Sequence, residues 1–193
     1  MNPLRPISYL TFLLLFFISC AKDEVFDPIA QFELEQAQIK TYVDKYYPDM
    51  IYSSDTTGIW YELIESDTST SYTYKIVDTI NYYGQPVKGV RMPIISVKHT
   101  GKLISDNSTF ASHIDKSDSL VSKLDKQIAA WYYAFVPKGI EKYKIGGLTT
   151  NGLQKGSKIR IITPSDFAYG NRPNGAIPAN SPLFFEIEVL DIK

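Results

Sequence analysis

The fold is decided near the carboxyl end of the chain by residues 163–190, which read TPSDFAYGNRPNGAIPANSPLFFEIEVL. In the last eight of these residues Leu183, Phe185, Ile187 and Val189 share one face, and this alternation predicts a half-buried β-strand. A stretch rich in Gly, Pro and Asn lies before it and predicts a loop. The segment therefore predicts a loop that is followed by a final strand.

The same alternation predicts further strands upstream. The predicted strands are 59–64, 72–77, 90–99 and 158–163, besides 183–190. Ser66–Ser71 is predicted to be a loop and Tyr82–Pro86 a turn, and the segment from Leu124 to Val136 predicts one short helix. Several antiparallel strands around one central helix predict an α+β domain whose sheet forms a half-barrel.

Residues 1–19 have the pattern of an export signal. Arg5 supplies a basic start, and the apolar run over 7–18 is shorter than the roughly 20 residues that a membrane-spanning helix needs. The sequence FISC at 17–20 resembles a bacterial lipobox, in which the Cys becomes the lipid-modified first residue of the mature chain. We therefore predict that Cys20 is lipidated and holds the protein on a membrane of the bacterial cell envelope, with the outer membrane as the expected site. A plain secretory signal with an incidental Cys is the alternative.

A short polar tether and one amphipathic helix are predicted after this anchor. Asp27 followed by Pro28 matches an N-cap and a first helical position, and Pro48 ends the pattern. The residues that recur at helical spacing are Ile29, Phe32, Gln36, Ile39, Val43 and Tyr46. This pattern predicts a helix over about 29–47 that packs on the main domain, with a role in dimerisation as the alternative.

The chain is accordingly divided into three predicted parts. They are a signal peptide (1–19), a lipidated Cys with tether and helix (20–53), and one main domain (54–193). This division agrees with the length of 193 residues, because domains usually have about 100–200 residues.

Composition argues against several classes of function. The 20 basic and 21 acidic residues leave a net charge of −1, which gives no electrostatic footprint for a nucleic acid. A single Cys cannot form an intrachain disulfide. Two His and one Cys are too few for the usual zinc site, so no metal is predicted.

Several motifs point to one family. Residues 163–170 and 176–190 resemble the P-S-x-x-A-Y-G, I-P and L-x-F-x-[IV]-E-[LV]-L elements of FKBP-type peptidyl-prolyl cis/trans isomerases. Upstream, VKHTGKL at 97–103, FAS at 110–112 and IAAW at 128–131 are similar to the family's V-x-Y-T-G-x-L, F-D-S and V-I-x-G-W. The resemblance extends over about residues 58–193, and it is closest to lipoprotein members of the Bacteroidetes. It implies an FKBP-like fold.

The resemblance also implies an aromatic pocket that accepts a proline ring. In that pocket Trp131 corresponds to the floor, Tyr169 to the tyrosine that hydrogen-bonds the substrate carbonyl, and Phe185 to an aromatic wall. The further implied substrate contacts are Phe110, Ile128, Ile177, His99 and Leu120, and at Ile177 the backbone takes part. Bond rotation needs no nucleophile, metal or cofactor, so none is predicted.

The sequence departs from the family pattern in its polar positions. His99 stands where a Tyr is usual, and Ala111 stands where an Asp is usual. The stretch from Leu120 to Leu124, where another aromatic wall is expected, has Leu at its two ends and no aromatic residue, and about ten extra residues separate the Trp131 helix from Gly156. The floor of the pocket is therefore retained, while its polar side is not.

Two functions from different classes follow. The first is a prolyl isomerase that assists the folding of exported proteins, with proline-containing polypeptides as clients and macrolides as inhibitors. The second is a non-catalytic FKBP-like chaperone or peptide-binding module of the cell envelope, which the loss of the acid at Ala111 favours. A third interpretation is a structural subunit of an envelope complex that docks through the 29–47 helix.

Overall fold

The computed structural model describes residues 26–53, 57–66, 71–81 and 83–193. The α-helices are α1 (Pro28–Tyr46) and α2 (Ala129–Phe135), and short 3-10 helices span Lys116–Asp118, Leu124–Lys126 and Ser165–Phe167. The strands are β1 (Ile51–Tyr52), β2 (Trp60–Glu65), β3 (Ile76–Ile80), β4 (Pro86–Val90), β5 (Ile94–Leu103), β6 (Thr109–His113), β7 (Leu120–Lys123), β8 (Gly139–Ile140), β9 (Tyr143–Lys144), β10 (Lys158–Thr163) and β11 (Leu183–Ile192). The predicted signal peptide and Cys20 lie outside the described residues.

Seven strands form one antiparallel sheet in the order β1-β2-β10-β11-β5-β6, with β7 also paired to β5. The central strand is β11, which the alternation of apolar side chains predicted. It pairs with β10 on one side and with β5 on the other, so that Phe185 lies opposite both Ile161 and Gly101. β3–β4 and β8–β9 form separate hairpins. The first strand of the sheet begins at Ile51. The division of the chain into parts at 19/20 and 53/54 stays a prediction.

Each face of the sheet is covered by one α-helix. Neighbouring residues of a strand point to opposite faces, and Ile161 and Phe185 therefore pack with Trp131 of α2. Ile162 and Phe184 pack on the other face, with residues of α1 such as Ile39. Two apolar clusters thus share the same strands.

The helix α1 begins and ends close to its predicted bounds. Asp27 caps it, because the Asp27 carboxylate accepts the N–H groups of Ile29 and Ala30 at 2.9 and 3.1 Å. The predicted apolar stripe is wrong at both ends, since Ile29 is 72% exposed and Tyr46 is 45% exposed. The residues of α1 that are buried are Glu35, Ile39, Tyr42 and Val43. The covered face of α1 is therefore shorter than the stripe and contains a carboxylate.

The predicted helix over 124–136 is broken in the structure. A 3-10 turn ends at Lys126, and α2 begins at Ala129. Gln127 and Ile128 between them have extended backbone, with ψ angles of 168° and 156°, which no helix can accommodate. The break places Gln127 and Ile128 beside the cavity described below.

Two predicted strands also differ from the observed ones. The predicted strand 72–77 begins only at Ile76, and the backbone N–H of Tyr72 donates to the side-chain oxygen of Gln154 at 2.8 Å instead of to a neighbouring strand. The predicted strand 90–99 is split into β4 and β5 around Pro93, which has no N–H to donate. β6 and β7 were not predicted as strands, and both pair with β5.

Candidate active site

Aromatic rings from four elements meet on the α2 face of the sheet. Trp131 of α2 contacts Phe185 of β11 edge to face, with ring centroids 5.8 Å apart. Phe185 makes a similar contact with Phe110 of β6 at 5.7 Å, and His99 of β5 contacts Trp131 at 5.1 Å. Perpendicular rings at these distances are favourable arrangements of aromatic quadrupoles. Four of the five predicted pocket rings, all except Tyr169, therefore form one connected group.

These rings border a cavity of about 640 Å³. The residues that line it are His99, Phe110, Ala111, Lys126, Gln127, Ile128, Ala129, Trp131, Ala168, Tyr169, Asn174, Gly175, Ala176, Ile177 and Phe185. Trp131 is only 2% exposed although it borders the cavity, as expected for a floor. Tyr169, on a loop after β10, is 36% exposed and stands at the rim. The cavity thus has an apolar base and a partly exposed tyrosine at its rim.

Leu120 is the one predicted contact that does not line this cavity. It lies on β7 opposite Val97, partly buried against the apolar cluster of the α2 face. The other seven predicted pocket residues, from His99 to Phe185, do line it. Leu120 therefore supports β5 from outside the cavity.

Gly101 allows two of the rings to approach each other. It lies on β5, opposite Phe185 on one side and Ala111 on the other. A Cβ at this position would lie 2.6 Å from the Phe110 ring and 3.1 Å from the Phe185 ring. The family motif contains this glycine, but only the strand pairing explains why a side chain does not fit there.

The loop that carries Tyr169 is held by one carbonyl. The oxygen of Ser165 accepts the N–H groups of Ala168 and Gly170, both at 2.8 Å, on either side of Tyr169. Gly170 has a φ of +65°, a left-handed conformation that favours glycine. The backbone on each side of Tyr169 is therefore anchored to the same atom.

Ile177 is buried at the cavity, but its backbone is already paired. Its N–H donates to the carbonyl of Asn174 at 3.0 Å, and its carbonyl accepts the N–H of Asn174 at 2.8 Å. A substrate that used the Ile177 backbone, as the resemblance implies, would have to share or displace these bonds.

Two ring nitrogens at the cavity have no hydrogen-bond partner, namely Nδ1 of His99 and Nε1 of Trp131. Buried polar atoms of this kind are normally paired, so a bound amide could supply the partner. Burial, followed by the charge that neighbouring His113 can carry, lowers the pKa of His99 to about 4 from its ordinary value of 6.5. His99 is therefore a neutral ring at neutral pH.

His113 does not line the cavity, but it is a direct neighbour of His99, which does. It lies on β6 opposite His99, and the two rings stack with centroids 4.9 Å apart. The signal that could have found it is the pairing of β6 with β5, since residues opposite each other in a sheet are neighbours.

The lining residues include no carboxylate, because Ala111 occupies the position where the family has Asp, and Lys126 is the only charged lining residue. Within the described residues no group of three or more His, Cys, Asp or Glu side chains could hold a metal ion. Among those residues, too, no helix is both long and apolar enough to cross a membrane.

A family model described as "FKBP-type peptidyl-prolyl cis-trans isomerase" matches residues 85–190 of this chain. The chain belongs to this family. The match includes the floor, walls and rim of the cavity, from His99 to Phe185. It does not include α1, which comes earlier in the chain.

Curated relatives of the family are similar over part of their length. FkpA of Escherichia coli K12 is 24% identical over 158 residues, which are 82% of this chain and 46% of that protein. FkpA of Buchnera aphidicola subsp. Schizaphis graminum is 33% identical over 128 residues, 66% of this chain and 43% of that protein. The chain thus spans less than half the length of these relatives.

Solved structures share the fold of this FKBP-family chain. The crystal structure of FkpA from Escherichia coli has a TM-score of 0.55 and 22% identity, over 85% of this chain and 60% of that one. A peptidyl-prolyl cis-trans isomerase from Pseudomonas syringae pv. tomato has a TM-score of 0.53 and 20% identity, over 88% and 98%. The fold is therefore FKBP-like, with mixed helices and antiparallel sheet.

Proposed function

We propose that this chain is a peptidyl-prolyl cis-trans isomerase that binds a proline ring in the cavity over Trp131. The observation that carries the proposal is the meeting of Trp131, Phe185 and Phe110 around one cavity with Tyr169 at its rim. Ile128, Ile177 and His99 would complete the walls. Family membership supports the reaction, and the cavity supports the residues assigned to it.

The physical task of such an enzyme is to lower a rotational barrier. Rotation about a prolyl bond meets about 18–20 kcal/mol, because resonance holds the C–N bond planar. The twisted transition state has lost this resonance and is less charge-separated. A dry aromatic cavity therefore binds it better than the planar amide, without breaking any covalent bond.

Tyr169 and Trp131 would have different roles in this scheme. The Tyr169 hydroxyl can donate one hydrogen bond to the substrate carbonyl and orient it, and the Trp131 indole provides the surface on which the proline ring rests. The catalytic group is therefore Tyr169, Trp131 and Phe185, and no metal or cofactor takes part.

A protease-coupled assay on a short Xaa-Pro peptide tests the proposal. Wild-type protein is expected to accelerate isomerisation, and a Tyr169→Phe, Trp131→Ala double variant to abolish the acceleration. Tyr52→Phe is the matched control, since Tyr52 is an exposed tyrosine of β1 outside the cavity. A macrolide inhibitor of the family is expected to compete with the peptide.

A second function is favoured by one observation, namely that Ala111 leaves the cavity lining without a carboxylate. On that reading the protein is a non-catalytic FKBP-like chaperone or peptide-binding module. It would suppress aggregation of an unfolded, proline-containing client without accelerating the peptide assay. The two assays run side by side therefore distinguish a catalyst from a holdase.

The proposal extends to where the protein acts. The lipobox-like sequence before Cys20 supports a lipid-anchored protein of the bacterial cell envelope, similar to Bacteroidetes lipoproteins, with exported proteins as clients. Expression in a lipoprotein-competent bacterium fed a labelled fatty acid tests this. The wild type should be labelled and fractionate with membranes, while Cys20→Ala should be unlabelled and absent from them.

The predicted shape of the domain belongs to the same proposal. The sheet would curve as a half-barrel around α2, with the proline cavity on the concave side, and α1 would be an amphipathic helix on the convex side. Its support is the division of strand residues between the α2 and α1 clusters.

A further inference from the structure

A buried carboxylate joins α1 to the loop that carries Tyr169. Glu35 is 1% exposed, and its oxygens accept hydrogen bonds from the Ser165 N–H at 2.6 Å, the Ser165 hydroxyl at 2.7 Å and the Gln31 amide at 2.8 Å. All of these donors are neutral. Burying a carboxylate is costly unless it is hydrogen-bonded, and bonds to a charged acceptor are among the stronger ones.

Glu35 has apolar neighbours on the covered face of α1. Ile39, one turn later, and Val43, two turns later, pack against the sheet by apolar contact. An apolar side chain at position 35 could continue that packing, but it could not accept the two Ser165 donors. The Glu35 carboxylate is therefore needed to hold Ser165 and not to pack α1 against the sheet.

Ser165 is also the residue that anchors the Tyr169 loop. Its carbonyl accepts the N–H groups of Ala168 and Gly170, both at 2.8 Å. Ser165 itself is 2% exposed, so it is fixed between Glu35 on one side and the loop on the other. A continuous series of hydrogen bonds thus runs from α1 through Ser165 to both neighbours of Tyr169.

We infer that Glu35 is a positioning residue that sets the place of the Tyr169 hydroxyl at the rim of the cavity. Because it acts on a residue of the isomerase site, the inference rests on the proposed function. Glu35 comes from outside residues 85–190, the segment that matches the family. The site of this protein is therefore completed by its amino-terminal helix, and α1 is more than a spacer between the anchor and the domain.

Two measurements on the full chain test this inference. In Glu35→Gln, which keeps the shape but brings an amide N–H₂ toward the Ser165 donors, we expect kcat/KM for the Xaa-Pro peptide to fall about fivefold, because small displacements of a positioned group are costly. Amide exchange at Ala168 and Gly170 should become at least about tenfold faster, while β11 amides such as that of Ile187 keep their rates. Glu33→Gln, an exposed change on the same helix, should alter neither.

A double variant separates positioning from general loss of stability. If Glu35 acts through Tyr169, Glu35→Gln should cause no further loss of kcat/KM in a Tyr169→Phe background, since the two changes remove one effect. Ile39→Val, which weakens the packing of α1 without removing a hydrogen bond to Ser165, should lower stability and leave kcat/KM unchanged. Ser165→Ala, which removes one of the bonds, should reproduce part of the Glu35→Gln effect and provides a second route if that variant folds poorly.

The outcomes are distinguishable from failure of the proposed function. A wild type that accelerates no peptide overturns the isomerase proposal, and with it the catalytic meaning of Glu35. The exchange rates of Ala168 and Gly170 still decide whether α1 holds the loop. Unchanged exchange in Glu35→Gln overturns the inference, and so do multiplicative losses in the double variant.

Discussion

The two faces of the seven-stranded sheet bury neighbouring residues of the same strand and use them differently. Phe185 points to the α2 face, where it contacts Trp131 and borders a cavity of about 640 Å³. Phe184, one residue earlier, points to the α1 face and stacks on Tyr47, with ring centroids 5.0 Å apart. One aromatic residue is available to a ligand and the other is covered by the chain itself. Burial alone therefore does not identify a site residue.

Buried polar atoms beside the cavity and under α1 differ in whether they have hydrogen-bond partners. At the cavity, Nδ1 of His99 and Nε1 of Trp131 have no partner. Under α1, the Glu35 carboxylate has donors on both oxygens. Unpaired atoms at a cavity can receive a ligand, whereas a satisfied carboxylate fixes structure. His99 and Trp131 thus border the candidate site, whereas Glu35 supports the structure beneath α1.

The largest expected effect comes from truncating the two neighbouring rings. Phe184→Ala and Phe185→Ala should each lower the free energy of unfolding by about 3–5 kcal/mol, because both side chains are buried. Only Phe185→Ala should also abolish isomerisation. Urea unfolding and the peptide assay measure the two effects, and milder Phe→Leu changes serve if either protein fails to fold. Equal loss of activity in both variants would show that the two faces of the sheet do not differ in function.

Gly101→Ala should act next most strongly, and on the α2 face alone. A Cβ 2.6 Å from the Phe110 ring forces that ring to move, which should cost about 1–3 kcal/mol of stability and reduce kcat/KM. The control is Gly89→Ala in the β3–β4 hairpin, where the new Cβ meets mainly the Thr79 side chain. Should Gly101→Ala retain full activity, the Phe110 ring is not a wall of the site.

The pH dependence of stability provides a third and smaller test of the α2 face. The pKa of His99 is about 4 in the folded protein and near 6.5 when unfolded, so the unfolded state binds the extra proton between these values. The contribution of His99 to the free energy of unfolding should therefore fall as the pH decreases from about 6.5 to 4, with a slope of at most about 1.4 kcal/mol per pH unit.

The measurement is urea unfolding at a series of pH values, with His99→Phe as the comparison. The variant should lack the part of the slope that His99 contributes, while wild type and variant should show parallel curves above pH 7. An identical slope in both proteins from pH 4 to 6.5 would show that His99 is not buried in its neutral form.

The smallest effect is expected at the start of α1. Asp27→Ala removes the N-cap of the helix and should cost about 1 kcal/mol, whereas Asp27→Asn should cost less because an amide oxygen can still accept. Neither change reaches Ser165, so kcat/KM should stay at the wild-type value. A loss of activity in Asp27→Ala would mean that the whole of α1, and not Glu35 in particular, supports the site.

Much of the fold could be predicted because its signals are local. The alternation over 183–190 predicted β11, and Asp27 with Pro28 predicted the start of α1. Boundaries that depend on distant partners were predicted wrongly. Tyr72 and Tyr74 alternate like strand residues, yet their region is held instead by Gln154 and Leu153.

The residues of the candidate site also differ in whether a local motif is enough to find them. Trp131, Tyr169, Phe185, Phe110 and Ile177 could be assigned from motifs, because each motif is a short run in the sequence. The position of His113 beside His99 could not be predicted from a motif, because it follows from the pairing of β6 with β5. The exclusion of Leu120 follows in the same way from the position of β7 at the side of β5.

The amino-acid sequence alone determined the start of α1, the final strand β11, the aromatic character of the site and the family, since these reside in periodicity and contiguous motifs. Tertiary structure decided which side chains meet: the closeness of Phe110 to Phe185 over Gly101, and the hydrogen bonds of Glu35 to Ser165, 130 positions away in the chain. The physical reason is that periodicity specifies which face of an element is buried, while only the packing of whole elements brings particular atoms within bonding distance.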